Sequence, residues 1–291
     1  MSDVTVIGLG TMGASLAEAL IDGGYQITVW NRTASKAAPL IEKGAVLADD
    51  PGSAIKASPI FIVCVLNYEV TNSILSETRV TQQLPGKVMI QLSSGKPQDA
   101  VESERWAHSN QLQYLSGEIM VYPDQIGTES GAILIAGEES VYQRCEPLLK
   151  TLAGKTVYLG SQISAPLAYG MAMGSILIGA LLGAVQGAQM CQVEGINLNL
   201  FASRLAEGDM DTISGALQDL LKRIQDEKFD DSLALISIGA DGVDHMLAYA
   251  HQHGLNSALP EFFVQTFSKA IDAGLGDEDM AAMIKVWRGN A

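Results

Sequence analysis

The sequence feature that most constrains the fold is a glycine-spaced turn near the N-terminus. A short β-branched run at 4–8 leads into GLGTMG at 8–13, which has the spacing G-x-G-x-x-G. The motif follows a predicted strand, opens a predicted helix and belongs to a βαβ unit of about thirty residues. In this context Gly8 permits the tight turn, Gly10 lets the backbone approach a pyrophosphate, and Gly13 lets the helix pack on the strand. The motif therefore predicts a dinucleotide site, with the phosphates at the helix N-terminus.

Strand and helix patterns alternate through the rest of the first half of the chain. Buried runs such as IFIVCVL at 60–66 favour parallel strands, and helical patterns lie between these runs. Such alternation is typical of a doubly wound parallel sheet. The predicted strands are 4–8, 26–30, 60–66, 88–92, 113–116, 132–136 and 156–159.

After Gly160 the strand patterns stop. A long apolar helix is predicted from about 165 to 195, and shorter helices follow it. The predicted fold class is an α/β Rossmann domain followed by a long interdomain helix and an all-α C-terminal domain. The predicted boundaries are 1–161 for the dinucleotide-binding domain, 162–194 for the interdomain helix and 195–291 for the helical domain.

The charge balance and the cysteine count restrict the partners and the compartment. The chain has 33 acidic and 18 basic residues and a formal net charge of −15, which argues against nucleic acid and anionic membranes as partners. Its three cysteines are widely spaced and odd in number, so we expect a reducing compartment without disulfides. No basic stretch precedes an apolar run at the N-terminus, and a cytoplasmic protein is predicted. The spacing of the histidines does not favour a metal site.

The segment 171–190 is apolar enough to raise the alternative of a membrane span. No charged residue occurs between 155 and 194, and about twenty apolar residues can cross a bilayer. Two glutamines interrupt the segment, however, and no aromatic belt or basic flank follows it. Gly179, Gly183 and Gly187 repeat every four residues, which lets two helix backbones approach closely. We therefore expect a helix that is buried in a soluble assembly.

The end of the second predicted strand selects between the two nicotinamide cofactors. NAD enzymes usually have Asp or Glu there to bind the ribose 2′-hydroxyl, whereas this chain has WNRTASK at 30–36. The Arg32 guanidinium can stack on adenine and bind a 2′-phosphate, and Thr33 and Lys36 add hydrogen-bond donors. Because no acid is present at this position, the sequence predicts NADPH.

Four segments of the sequence are similar to segments of a known family: GLGTMG (8–13), NRT (31–33), VLNYEV (65–70) and QLSSGKP (91–97). Together they resemble the β-hydroxyacid dehydrogenase superfamily. That superfamily combines a Rossmann domain with a helical domain and acts on small hydroxy acids. The resemblance implies that these segments line the cofactor and substrate sites.

Two motifs of that superfamily are altered in this chain. Its members grip the substrate carboxylate with the Ser-Gly-Gly of a D-A-P-V-S-G-G segment, and the matching residues 116–122 are SGEIMVY. A carboxylate beside Met-Val-Tyr would lose its hydrogen bonds. The superfamily also places a catalytic lysine nine residues after the glycine that ends the last strand, and counting nine from Gly160 reaches Tyr169. The lysine that handles a hydroxyl proton is therefore missing.

In both of these altered motifs the chain resembles the imine reductases and reductive aminases. Their characteristic segment is similar to residues 117–137, and a C-terminal run of theirs is similar to residues 244–288. The resemblance implies an NADPH-dependent imine reductase that transfers hydride to the C=N bond of cyclic imines or iminium ions. It also implies a homodimer with intertwined C-terminal domains, in which the helical domain of one chain completes the site of the other.

Tyr169 is the predicted catalytic residue, as a proton donor or as a substrate-orienting group. A phenol with an ordinary pKa of about 10 is uncharged at neutral pH and can protonate an incipient amine, whereas a lysine would repel an iminium ion. Related enzymes have Asp or Tyr at this position. On periodicity alone, Tyr169 also fits a core tyrosine whose hydroxyl is bonded to a carbonyl.

The other predicted site residues form two groups. For the cofactor we expect Gly8, Gly10, Thr11, Met12, Gly13, Asn31, Arg32, Thr33, Lys36, Val65, Leu66 and Ser93. For a small imine, or an amine and a carbonyl compound, we expect Ser94, Met120, Tyr122, Met173 and Asp241. Many reductive aminases have Asn at the position of Ser94, so its absence does not favour reductive amination. Asp241 shares a predicted helix face with His245, which is also typical of a solvated surface.

Two alternatives stay open on the sequence. One is an NADP-dependent β-hydroxyacid dehydrogenase or semialdehyde reductase with an altered proton relay, which would turn over a β-hydroxy acid. The other is a non-catalytic NADPH-binding protein, which would bind the cofactor, turn over no imine or aldehyde and be indifferent to Tyr169→Phe.

Overall fold

The computed structural model describes residues 2–232 and 234–289. These residues form two compact units, of which the first ends at Ser175 and the second begins at Ile176. The domain boundaries predicted at 161 and 194 stay predictions. Within its described residues the first unit contains an eight-stranded sheet, with strands β1 (Val4–Ile7), β2 (Ile27–Trp30), β3 (Val46–Leu47), β4 (Ile60–Val63), β5 (Val88–Gln91), β6 (Gln113–Ile119), β7 (Ala132–Gly137) and β8 (Lys155–Tyr158).

The strands of the sheet follow the order β3-β2-β1-β4-β5-β6-β7-β8. Neighbouring strands are parallel except β6 and β7, which are antiparallel with Ser116 opposite Ala136. The connection between these two strands, residues 120–131, contains only a short 3-10 turn, Pro123–Gln125, whereas the crossover between parallel strands is usually an α-helix. The sheet is therefore mainly parallel, with one antiparallel pair that the strand–helix alternation did not predict.

Helices cover both faces of this sheet. They are α1 (Thr11–Asp22), α2 (Ala38–Glu42), α3 (Pro51–Lys56), α4 (Tyr68–Leu75), α5 (Thr78–Thr81), α6 (Pro97–Ser109) and α7 (Glu139–Leu152). Successive residues of a strand contribute to two separate cores: Val6 and Ile62 to one, Ile7 and Phe61 to the other. Because both faces are covered, β4 (IFIV) and β7 (AILIAG) are apolar along their whole length, as expected for strands buried in an α/β protein.

The predicted strands are all present, with differences in length that bear on the site. β4 ends at Val63, so Val65 and Leu66 belong to the loop that follows. β6 continues to Ile119, beyond the predicted end at 116. Helix α4 was not predicted, although its buried residues at positions 68, 71 and 75 have helical spacing.

Helix α8 (Ala165–Val193) agrees with the predicted long helix and contains the division between the two units. The second unit continues with α9 (Leu198–Arg204), α10 (Met210–Asp226), α11 (Ile236–Gln252), α12 (Ala258–Asp272) and α13 (Met283–Trp287). A small core in this unit is formed by Ile236, Ala270 and Ala282.

The surface of α8 is apolar on all sides. The helix has 29 residues and is long and apolar enough to cross a membrane by length and composition alone. None of its most apolar stretch is buried among the described residues. Leu177, Ile178 and Val185 are each more than half exposed. Within the described residues the apolar middle of this helix is therefore exposed, whereas Leu167 near its start and Cys191 near its end are buried.

Candidate functional site

A cavity of about 480 Å³ opens at the carboxyl ends of β1, β2 and β4. Parallel sheets of this type bind ligands at this edge, where the strand order reverses. The predicted cofactor residues that line the cavity are Gly8, Gly10, Thr11, Met12, Gly13, Asn31, Arg32, Thr33, Lys36, Val65 and Leu66. Ser93 is the exception. The structure thus gathers residues from separate segments of the sequence around one space.

The three positions of the turn have glycine for different structural reasons. Gly8 has a φ of +98°, and a Cβ atom there would lie 2.3 Å from the Cys64 carbonyl oxygen. A Cβ atom at Gly13 would lie 2.1 Å from the Gly8 carbonyl oxygen. At Gly10 no atom of the described residues would lie within 4 Å of an added Cβ atom, so there is space beside it for a ligand. The turn is therefore tightly packed at its two ends and open in the middle.

The N-terminus of α1 is suited to phosphate. Its N-cap residue is Gly10, no side chain caps the helix, and its first turn contains no acid. The first N–H groups of a helix lack internal acceptors, and the helix dipole favours an anion there. A pyrophosphate at this end would satisfy both the hydrogen-bonding groups and the dipole.

The adenosine end of the cavity is basic. Arg32 and Lys36 are exposed and line it together with Thr33. Asn31 has a structural role there, because its Oδ1 accepts from the Leu9 amide at 2.9 Å and its Nδ2 donates to the Thr33 carbonyl at 2.9 Å. Asn31 thereby ties the glycine turn to the loop after β2. The residues fit a cofactor with a 2′-phosphate, because two cations and no acid meet at this edge.

Ser93 lies behind the cavity rather than in its wall. It is buried, and its Oγ accepts from the Val65 amide at 3.0 Å. The Gln91 amide nitrogen donates to the Thr71 hydroxyl at 3.0 Å, and that hydroxyl is 3.4 Å from Ser93 Oγ. This buried network fixes the backbone at Val65. Ser93 therefore positions a cavity residue, and direct contact with the cofactor stays a prediction.

The structure also adds residues to the predicted cavity wall. Trp30 ends β2, Cys64 precedes Val65, and Val70, Ser73 and Ile74 come from α4. The spacing of the last three, i, i+3 and i+4, marks one face of a helix. This periodicity could have identified them if α4 had been predicted.

The predicted substrate residues lie on several elements. Ser94 follows β5 and is exposed, and Met120 and Tyr122 follow β6. Tyr169 is on α8 with 46% of its surface exposed. The predicted substrate residues of the first unit therefore lie in the segments that follow β5 and β6 and on α8. The Tyr169 side chain is accessible and is not part of the core.

Two further predicted substrate residues lie farther along the chain. Met173 follows Tyr169 by one turn of α8 and is 41% exposed. Asp241 is exposed on α11, in the second unit. Among the described residues no group of three or more His, Cys, Asp or Glu side chains could hold a metal ion.

One acid near these residues was not predicted. Glu118 is in the last part of β6, it is partly buried, and burial raises its pKa to about 7. A lone carboxyl in an apolar strand is itself a sequence signal, because strands depleted of charge rarely bury an acid without a partner.

Comparison with known proteins places the whole chain. Residues 3–160 match the family described as the NAD binding domain of 6-phosphogluconate dehydrogenase, and residues 163–289 match the NADPH-dependent reductive aminase-like C-terminal domain. An NADPH-dependent reductive aminase from Aspergillus oryzae is 27% identical over 98% of this chain and 97% of its own length.

Solved structures agree with this result. An imine reductase from Myxococcus stipitatus in complex with NADP+ is 33% identical, with a TM-score of 0.90 over 97% of this chain and 99% of its own. An imine reductase from Aspergillus terreus, in complex with NADPH4 and dibenz[c,e]azepine, is 27% identical, with a TM-score of 0.90 over 98% of this chain and 99% of its own. With its Rossmann domain, its basic cofactor cavity and its reductive aminase-like C-terminal domain, the chain belongs to the imine reductase family of NADPH-dependent oxidoreductases.

Proposed function

We propose that the protein reduces the C=N bond of cyclic imines or iminium ions with NADPH. The observation that carries the proposal is the residue set beside the cofactor edge. Residues 119–122 (IMVY) offer no grip for a carboxylate, and Tyr169 stands where a dehydrogenase would have lysine. An apolar wall with few polar groups suits a small, weakly polar imine.

The residues of the chain have separate roles in this proposal. NADPH, when bound, supplies a hydride to the carbon of the C=N bond. Gly10 and the N-terminus of α1 hold the pyrophosphate, and Arg32 with Lys36 holds the 2′-phosphate. Tyr169 donates a proton to the substrate nitrogen or orients the substrate through its hydroxyl.

We also propose that the protein is a cytoplasmic homodimer with intertwined C-terminal domains. Support comes from α8, whose apolar surface the chain itself does not bury. A second copy would bring an equally apolar helix. Among the described residues no atom would lie within 4 Å of a Cβ atom added at Gly179 or Gly183, whereas at Gly187 the Phe201 ring would lie 3.3 Å away. Small residues at this spacing permit close helix contact. In such a dimer Asp241 would face the substrate of the partner site.

The test is NADPH oxidation, followed by absorbance, with 2-methyl-1-pyrroline as substrate. The comparison reaction is 3-hydroxyisobutyrate with NADP+. We expect imine reduction by the wild type and a loss of about 10²-fold or more in kcat for Tyr169→Phe if the phenol transfers the proton. Retention of rate in the variant would leave Tyr169 an orienting role.

Two other outcomes would replace the proposal. Oxidation of the hydroxy acid, without imine reduction, would indicate a β-hydroxyacid dehydrogenase. Binding of NADPH without turnover of any imine or aldehyde would indicate a non-catalytic NADPH-binding protein.

A further inference from the structure

Glu118, at the end of β6, faces the same way as a predicted substrate residue. Side chains alternate along a strand, so Ser116, Glu118 and Met120 project to one face of the sheet. The pairing continues to Met120, whose amide donates to the Ala132 carbonyl at 2.9 Å. Glu118 therefore lies on the same face of the sheet as Met120, two residues nearer to the middle of β6.

The Glu118 carboxyl lies against the backbone of α8. A Cβ atom at Gly170 would come within 2.8 Å of the Glu118 Oε1 atom and 3.0 Å of its Cδ atom. A glycine at this position leaves room for the carboxyl, and it directly follows Tyr169 in the sequence. The acid thus lies beside the helical turn that carries the predicted catalytic tyrosine.

No described residue donates a hydrogen bond to this carboxyl or pairs with its charge. Burial is the cause of its raised pKa, which is about 7. The elements packed around it carry three phenols, Tyr68 on α4, Tyr114 on its own strand and Tyr169 on α8. The other titratable groups on α4 and α8 are the exposed Glu69 and, at the far end of α8, Cys191, and Asp99 lies close enough to Tyr68 to raise the pKa of that phenol. Strands β5 and β7 contain no titratable side chain. At neutral pH the group is therefore divided between acid and carboxylate, without a cation to neutralise it.

A partly buried acid without a partner is costly for the fold and is typical of a functional site. We propose that Glu118 is a further catalytic residue, whose carboxyl contacts the substrate nitrogen and donates the proton that converts a neutral imine into an iminium ion. This inference rests on the proposed imine site and names the proton donor within it. A carboxyl close to neutrality suits this transfer, because general acids work best when their pKa is near the operating pH.

The proposed step moves one proton from the Glu118 carboxyl to the substrate nitrogen. The O–H bond of the Glu118 carboxyl breaks, an N–H bond forms on the substrate, and the carboxylate keeps the electron pair. The resulting carboxylate then faces a cation in an apolar wall, where their attraction is strong. After the amine leaves, the carboxylate regains a proton from water. With Glu118 as the donor, Tyr169 has the orienting role.

Proton release on ligand binding tests this without turnover. The probe is 2-methylpyrrolidine, a cationic amine, titrated calorimetrically into the NADP+-loaded protein in buffers with different ionisation enthalpies. Binding of the cation should ionise Glu118 and release about 0.9 proton per site at pH 6 and about 0.1 at pH 8, as a pKa of about 7 requires. Glu118→Gln should release none and should bind the amine at least tenfold more weakly at pH 8.

The control is Glu102→Gln, on an exposed glutamate of α6, which should behave as the wild type. Gly170→Ala is a second, independent variant, because it leaves the glutamate in the sequence but its methyl group would push the Glu118 carboxyl out of its position. It should weaken amine binding several-fold. Wild-type binding without proton release at pH 6, or unchanged binding by Glu118→Gln, would overturn the inference.

Kinetics separate this inference from the proposed function. If the wild type does not reduce 2-methyl-1-pyrroline, the proposed function fails. If it does, kcat/KM should fall tenfold per pH unit above about pH 7 for the wild type, and Glu118→Gln should lack this break. An unchanged rate and an unchanged profile in Glu118→Gln would reject Glu118 alone.

Discussion

At the residue scale, the basic side chains of the cavity are the ones that we predict to select the cofactor. Arg32 and Lys36 line the cavity, and the loop that carries them has no acid. A guanidinium forms paired hydrogen bonds with a phosphate, which a lysine cannot reproduce. We therefore predict that discrimination between NADPH and NADH depends mainly on Arg32.

Replacement of Arg32 by Ala should weaken NADPH binding by about 10- to 100-fold, since a hydrogen bond to a charged group contributes roughly 1.5–3 kcal/mol. NADH binding should change by less than about threefold, since it lacks the 2′-phosphate. Fluorescence titration of both cofactors measures this, with Arg105→Ala, on an exposed arginine of α6, as the control. An equal loss for both cofactors would show that Arg32 acts on the loop or on the shared adenine rather than on the 2′-phosphate.

The raised pKa of Glu118 also has a consequence for stability. Between its ordinary value of 4.5 and about 7, the folded protein binds more protons at this site than the unfolded chain. The free energy of unfolding therefore falls as the pH rises through this window, and the effect is absent below it.

Glu118→Gln should remove this dependence. Because the side chain is partly exposed and solvent screens it, we expect about 1 kcal/mol, or a Tm about 2–4 °C above the wild type at pH 8 and no gain at pH 4. Calorimetry at the two pH values measures this. A variant that is less stable than the wild type at pH 8 would mean that the carboxylate has a stabilising partner.

At the scale of elements, a buried acid organises the C-terminal helices of the second unit. Asp279 is 3% exposed, and its Oδ1 accepts from the Ala281 amide at 2.7 Å, which caps the 3-10 turn Met280–Ala282. Its Oδ2 accepts from Ser232 and lies 3.8 Å from the Arg223 Nε atom of α10. One carboxylate therefore joins a turn, a loop and a helix.

Asp279→Ala should destabilise the second unit by about 2–3 kcal/mol, because it leaves buried donors unpaired. Asp279→Asn should cost less, since the amide oxygen can still accept from the Ala281 amide. Denaturant unfolding measures both, and Asp277→Ala, on an acid two residues away that is less buried, is the matched control. Equal losses for Asp277→Ala and Asp279→Ala would contradict this role.

At the scale of the whole molecule, the apolar surface of α8 is the dominant feature. A monomer would expose leucine, isoleucine and valine side chains along most of a 29-residue helix. Exposed apolar patches of this extent usually mark an interface. The proposed dimer covers this surface with a second copy of the same helix.

Light scattering on the purified protein should give twice the monomer mass of 30.9 kDa. Leu181→Glu, on a residue of α8 that is 54% exposed, should shift the protein to monomer or aggregate, because it would bury an unpaired charge in the interface. Val157→Glu, on a 45% exposed residue of β8, is the control. A wild-type monomer would reject the proposed dimer, and a dimer that tolerates Leu181→Glu would place the interface elsewhere.

The sequence by itself determined the features that local patterns encode. The G-x-G-x-x-G turn, the apolar strands and α8 follow from spacing and periodicity, and the cavity-lining residues between Gly8 and Lys36 follow from a known loop geometry. The absence of an acid after β2 was likewise legible, because it concerns residue type at one position.

Tertiary structure alone decided which distant segments meet. Hydrophobic periodicity does not report strand direction, so the antiparallel pairing of β6 and β7 emerged only from the folded sheet. The same holds for Ser93, which lies behind Val65 instead of in the cavity wall. Glu118 is the clearest case: its contact with Gly170 joins residues 52 positions apart (170 − 118). The environment that raises its pKa is the desolvation of a packed fold, which no local pattern contains.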